Sequence, residues 1–132
     1  RVLVVLIAIS SLVYFSIQPA PGTGGRSYGP IGLVPYSMWL HFTAYLGLSG
    51  ILSYASHDVA KPAWQIMIGV FVVTVGIGTA VEVLQLNLPA RTFSTADIAV
   101  NALGAATGTI LFYISERVLR RLRTATRSST RL

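Results

Sequence analysis

Gly78-Thr79-Ala80-Val81-Glu82-Val83-Leu84-Gln85-Leu86-Asn87-Leu88-Pro89-Ala90-Arg91-Thr92-Phe93-Ser94-Thr95-Ala96-Asp97-Ile98-Ala99-Val100-Asn101-Ala102-Leu103-Gly104 is the stretch whose reading decides the fold of this chain. It closes one apolar segment, turns through Pro89 and opens another. Glu82, Gln85, Arg91, Asp97 and Asn101 thereby fall together at one end of two neighbouring helices. Three ionisable groups then sit in or beside hydrocarbon, where charge is costly and marks function.

Composition explains why hydrocarbon is the expected surrounding. The 132 residues are 53% hydrophobic and 11% charged, with a mean hydropathy of +0.67. A soluble domain carries about 25% charged residues, and one of this size buries only about two-thirds of the surface its chain exposes. An integral membrane protein accommodates such a chain and a soluble domain does not. With no cysteine, disulfides, thiolate nucleophiles and Cys-ligated metals are excluded. The net charge of +6 gives no case for nucleic acid, because six of the ten basic residues lie between Arg117 and Arg131 and are not interleaved with aromatics. That clustering fits a membrane-edge anchor.

Outward from the central stretch, four apolar segments predict spans over about residues 2–17, 38–55, 65–86 and 95–116. The first is short of the roughly 20 residues that cross a bilayer. The chain opens on Arg1 instead of Met, so further sequence is expected before it. A secretory leader is the alternative for this segment, but Gln18-Pro19-Ala20-Pro21 offers no clean cleavage site. Residues 18–37, with four prolines and five glycines, predict an irregular loop. Tyr28, Tyr36, Trp39 and Trp64 suit membrane interfaces. Ser94 with Asp97 three residues later has capping-box spacing, with Asp in place of the usual Glu. The expected domain is a single bundle over 1–124, followed by a basic, disordered cytoplasmic tail over 125–132. The arginines after the fourth span place the C-terminus in the cytoplasm. An even number of spans places the N-terminus there too, and the loops at 18–37 and 86–96 then face outward.

On this topology His41, Glu82, Gln85, Arg91, Asp97 and Asn101 share one membrane depth. Gly78, Glu82 and Gln85 lie on one helix face, and Asp97, Asn101, Gly104 and Gly108 on another. His41 and Tyr45 are one turn apart. Gly104-x-x-x-Gly108 would let its helix approach a neighbour closely. An arginine fork near a helix N-terminus suits a phosphate or carboxylate. A histidine beside carboxylates also suits general acid–base work. One histidine and two separated acids make a poor metal signature, so no metal and no cofactor is expected. Each residue also has a bland reading. Glu82 and Asn101 can serve as hydrogen-bonding glue between helices, and Asp97 as a first-turn carboxylate. Arg91 can be an ordinary interfacial cation, and His41 a satisfied structural histidine.

His41-Phe42-x-x-Tyr45, Gly78-x-x-x-Glu82-x-x-Gln85 and Arg91-x-x-Ser94-x-x-Asp97-x-x-x-Asn101-x-x-Gly104-x-x-x-Gly108 together resemble the VanZ-like family of small multi-span membrane proteins. Where that family usually carries an Asp-Lys pair just before the histidine, this chain has Ser37 and Met38. The family is named for a protein linked to teicoplanin resistance. The resemblance therefore implies an envelope-associated membrane protein and a site more than it implies a reaction.

The expectation is an all-α integral membrane protein of the plasma membrane, a four-transmembrane-helix bundle with both termini cytoplasmic. Its outward-facing pocket of His41, Tyr45, Glu82, Gln85, Arg91, Asp97 and Asn101 would bind a polar or phosphorylated headgroup. Expected partners are membrane lipids with anionic or polyprenyl-linked headgroups, and a second copy of the chain. Arg91 would hold the anion, Glu82 would orient Arg91 or His41, and Asp97 would share that charge or act as base. Gln85 and Asn101 would add neutral hydrogen bonds. The alternative is an accessory subunit whose polar residues only pack helices. An ion-coupled carrier is disfavoured by the lack of an inverted repeat or of charge deep in the bilayer.

Overall fold

Two prolines start two of the helices. Pro35 and Pro62, each near φ −55° and ψ 140°, directly precede α2 (Tyr36–Ser56) and α3 (Ala63–Gln85). Their ring fixes φ, and the missing N–H is one that a first helical turn would leave unpaired anyway. Their carbonyls accept the first bonds of each helix, from Met38 N–H at 3.1 Å and Gln65 N–H at 3.0 Å. Both helices therefore begin two residues earlier than the apolar pattern predicts. The computed structural model describes residues 1–18, 28–29, 32–86 and 94–129, with side chains described as far as 124. Arg91 and Pro89, with most of the α1–α2 and α3–α4 connections, lie outside the described residues. Two further helices complete the described architecture, α1 (Val2–Ile17) and α4 (Thr95–Ser129).

Helix ends follow local chemistry. Gln18 is extended, as expected of a residue before proline. Ser94 Oγ accepts the Asp97 N–H at 3.1 Å, the N-terminal bond that the capping spacing predicts for α4. At its other end α4 continues to Ser129, past the point where the Ser/Thr/Arg composition predicts a tail. Glu116 and Arg120, one turn apart with 3.5 Å between charged atoms, favour helix through that segment, and arginine is a good helix former.

The strongest packing joins α2 to α4, with α3 against both and α1 outermost. Glycine explains the α2–α4 contact. A β-carbon at Gly104 would collide with the backbone of Phe42 and Leu46, and one at Gly108 with the Leu46 carbonyl and Ser49 Oγ. The Gly-x-x-x-Gly face lets the two backbones touch, as its spacing predicts.

Polar and apolar side chains are distributed opposite to a soluble domain. Ser49, Ser53, Thr74, Glu82, Gln85, Asn101 and Thr109 are buried, while Ile68, Val72, Val73, Leu103, Ile110, Leu111 and Ile114 face outward. Thr74 and Thr109 return their hydroxyls to the Val70 and Ala105 carbonyls of their own helices, at 2.7 and 2.8 Å. Such an apolar exterior over a polar interior is stable in lipid and aggregation-prone in water. Ala63–Gln85 and Thr95–Thr124 are each long and apolar enough to cross a bilayer.

Helix α1 has no buried residue and is fastened at its two ends. Gln85 Nε2 donates to the Ser16 carbonyl at 2.8 Å, satisfying a carbonyl that the end of a helix leaves open. At the opposite end Arg1 pairs with Asp58 in the α2–α3 turn and lies 5.0 Å over the Tyr54 ring. The hydrogen bond to Asp58 raises the Arg1 pKa above its ordinary value.

Candidate functional site

The N-terminal turns of α2 and α4 meet the C-terminal turns of α3, and the polar side chains gather there. Gly78 makes the space. A β-carbon on it would lie 3.0 Å from the Tyr45 ring and 3.1 Å from Asn101 Nδ2. With hydrogen in its place, Tyr45 and Asn101 close over α3 one turn from Glu82. Glu82 is fully buried, Asn101 is 1% exposed and Tyr45 2%.

His41 enters from α2, half-buried, with its ring stacked on Tyr45 at a 6.4 Å centroid distance and 12° between planes. Its Nδ1 lies 3.0 Å from Asn101 Oδ1. An amide oxygen only accepts, so in this arrangement His41 Nδ1 is the donor. Asp97 completes the group from the first turn of α4. One ligand atom each from His41, Glu82 and Asp97 lies within 4.8 Å of the others. The two acids are separated in sequence but not in space.

Five of the seven candidates are thus brought together: His41, Tyr45, Glu82, Asp97 and Asn101. Gln85 is also buried, but its amide is directed to the Ser16 carbonyl, so it serves to dock α1. Arg91 lies outside the described residues. The bond to Ser16 left no signal in the sequence, because its acceptor is a backbone carbonyl on a distant helix. A second feature was equally silent. Gly29 N–H donates to the Val34 carbonyl at 2.8 Å, Gly32 has a φ of 69°, and the Trp39 indole packs directly on Gly29. This turn leads into the end of α2 that carries His41. An apolar groove between α3 and α4, lined by Met67, Phe71 and Ile110 among others, lies eleven or more residues along α3 from Glu82 and takes no part in the site.

Chemically the cluster offers two carboxyl groups, an imidazole, a phenol and an amide at the end of a helical bundle. That defines a helical membrane protein with a buried polar centre near one end of its apolar helices. A family model described as VanZ/LLP1 matches residues 2–116, and the chain belongs to that family. No curated protein and no solved structure matches it.

Proposed function

We propose that this protein spans the plasma membrane four times with both termini cytoplasmic. Its polar centre opens to the outer face and binds a polar or phosphorylated headgroup of a lipid or lipid-linked envelope component. The observation that carries the reading is the gathering of His41, Glu82, Asp97 and Asn101 from three helices at one bundle end. The cost of burying these groups is hard to explain by helix packing alone. Arg91, six residues before Asp97 in sequence, supplies the cation that an anionic headgroup needs. Membership of a family named for teicoplanin resistance agrees with an envelope role.

The test is binding of short-chain lipids by the purified protein in nanodiscs. Phosphate-bearing lipids should bind at least about tenfold more tightly than neutral ones, as expected for an arginine–phosphate contact of about 1.5–3 kcal/mol. Arg91→Ala should remove the difference. Equal binding of both lipid types by the wild type counts against the reading.

A second reading has its own support. Gln85 bonded to Ser16 and the Gly104–Gly108 face against α2 are packing devices, as expected if the chain is an accessory subunit. In that case Glu82→Gln lowers stability and no ligand is lost.

A further inference from the structure

We infer that His41, Glu82 and Asp97 form a binding site for one divalent transition-metal ion, of the zinc or manganese type. Three helices each contribute one donor, and the donor atoms lie within 4.8 Å of one another. Ligands about 2.0–2.2 Å from a common ion sit roughly 3–4 Å apart, so side-chain rotation of about an ångström brings these donors into range. One imidazole nitrogen and two carboxylates suit zinc, manganese or ferrous ions better than calcium or magnesium.

The surroundings of His41 support this reading. A metal-bound histidine ordinarily donates its second ring N–H to a carbonyl or carboxylate, which fixes both tautomer and ring orientation. Here Nδ1 faces Asn101 Oδ1 at 3.0 Å, and the ring is stacked on Tyr45. With Nδ1 engaged by Asn101, Nε2 is the ring nitrogen left to bind a cation. An independent observation lies beside it. Asn101 Nδ2 and Tyr45 Oη are buried donors with no hydrogen-bond acceptor among the described residues, on side chains 1% and 2% exposed. Both side chains close over Gly78, one turn from Glu82. Buried donors want acceptors, and an oxygen ligand completing the metal's coordination would supply one. Three protein ligands leave at least one position open, to water or to a phosphoryl oxygen. The site does not depend on the headgroup reading, because the ion needs no lipid in order to bind.

The test uses the full chain in detergent, stripped with chelator and titrated with Co2+ and then Zn2+, reading the visible cobalt spectrum and the metal content per chain. The expected result is one cobalt ion per chain with imidazole–carboxylate bands, displaced by zinc. His41→Gln and Asp97→Asn should abolish the bands, and Asn101→Ala should weaken binding about 10–100-fold. His57→Gln, in the far α2–α3 turn, should bind as wild type and keeps the result interpretable if the other variants fold poorly. A wild type that holds no ion above background, or that loses its cobalt bands in His57→Gln, overturns the inference. So do folded His41→Gln and Asp97→Asn proteins that bind like wild type.

Discussion

His41 Nδ1 on α2 lies 3.0 Å from Asn101 Oδ1 on α4, sixty residues away in sequence. This contact ties together the two helices that pack most closely. Replacing Asn101 with Leu removes it and leaves a half-buried imidazole N–H without its acceptor. Interhelical hydrogen bonds in membranes contribute about 0.6–2 kcal/mol. Asn101→Leu should destabilise the protein by about that amount in a detergent unfolding titration, and unchanged stability would argue that the contact is incidental.

The glycine face gives a sharper contrast. Alanine at Gly108 must push its β-carbon against the Leu46 carbonyl and Ser49 Oγ, whereas Gly69 and Gly47 have open space where a β-carbon would go. Gly108→Ala should cost about 1–3 kcal/mol, the range for overpacking. Gly69→Ala should be neutral or slightly stabilising, because alanine favours helix. Thermal unfolding of the two variants side by side checks the difference.

Gln85 fastens α1, which otherwise buries no residue completely. Gln85→Leu should loosen the C-terminal turn of α1 without disturbing the α2–α4 contact. Hydrogen exchange should therefore rise around residues 13–17 and stay unchanged at 101–109. Equal protection in both proteins would remove Gln85 from that role.

Absence of cysteine makes the proposed orientation testable without background. Single cysteines at Ser94, in the proposed outer loop, and at Asp58 and Thr124, on the proposed cytoplasmic side, should divide cleanly. A membrane-impermeant thiol reagent applied to intact cells should label the first and spare the other two. The reverse pattern would place the polar centre on the cytoplasmic face.

Much of this arrangement is legible in the sequence because helices repeat. The offsets of three and four that join Gly78, Glu82 and Gln85, and Asp97, Asn101, Gly104 and Gly108, are fixed by helix geometry, and in the structure six of these seven residues are buried and Asp97 is half-buried. That α4 approaches a neighbour closely follows from Gly104 and Gly108; that the neighbour is α2 does not. Illegible were relations that depend on helix rotation and on backbone partners. Nothing in the spacing tells that Gln85 turns to Ser16 while Asn101 turns to His41. That Glu82 and Asp97 share one helix end is legible from the turn between them, but how closely they approach is not. The continuation of α4 to Ser129 was hidden by a composition that reads equally well as loop.

The measurement that bears most directly on the central proposal is mass spectrometry of lipids that co-purify with the wild type and with Arg91→Ala in mild detergent. A headgroup-binding protein should carry a specific anionic or polyprenyl-linked lipid, enriched over the bulk membrane, which Arg91→Ala loses while remaining folded. The same bulk lipids in both preparations, with the variant merely less stable, would contradict the proposal and leave the polar centre as a device for holding helices together.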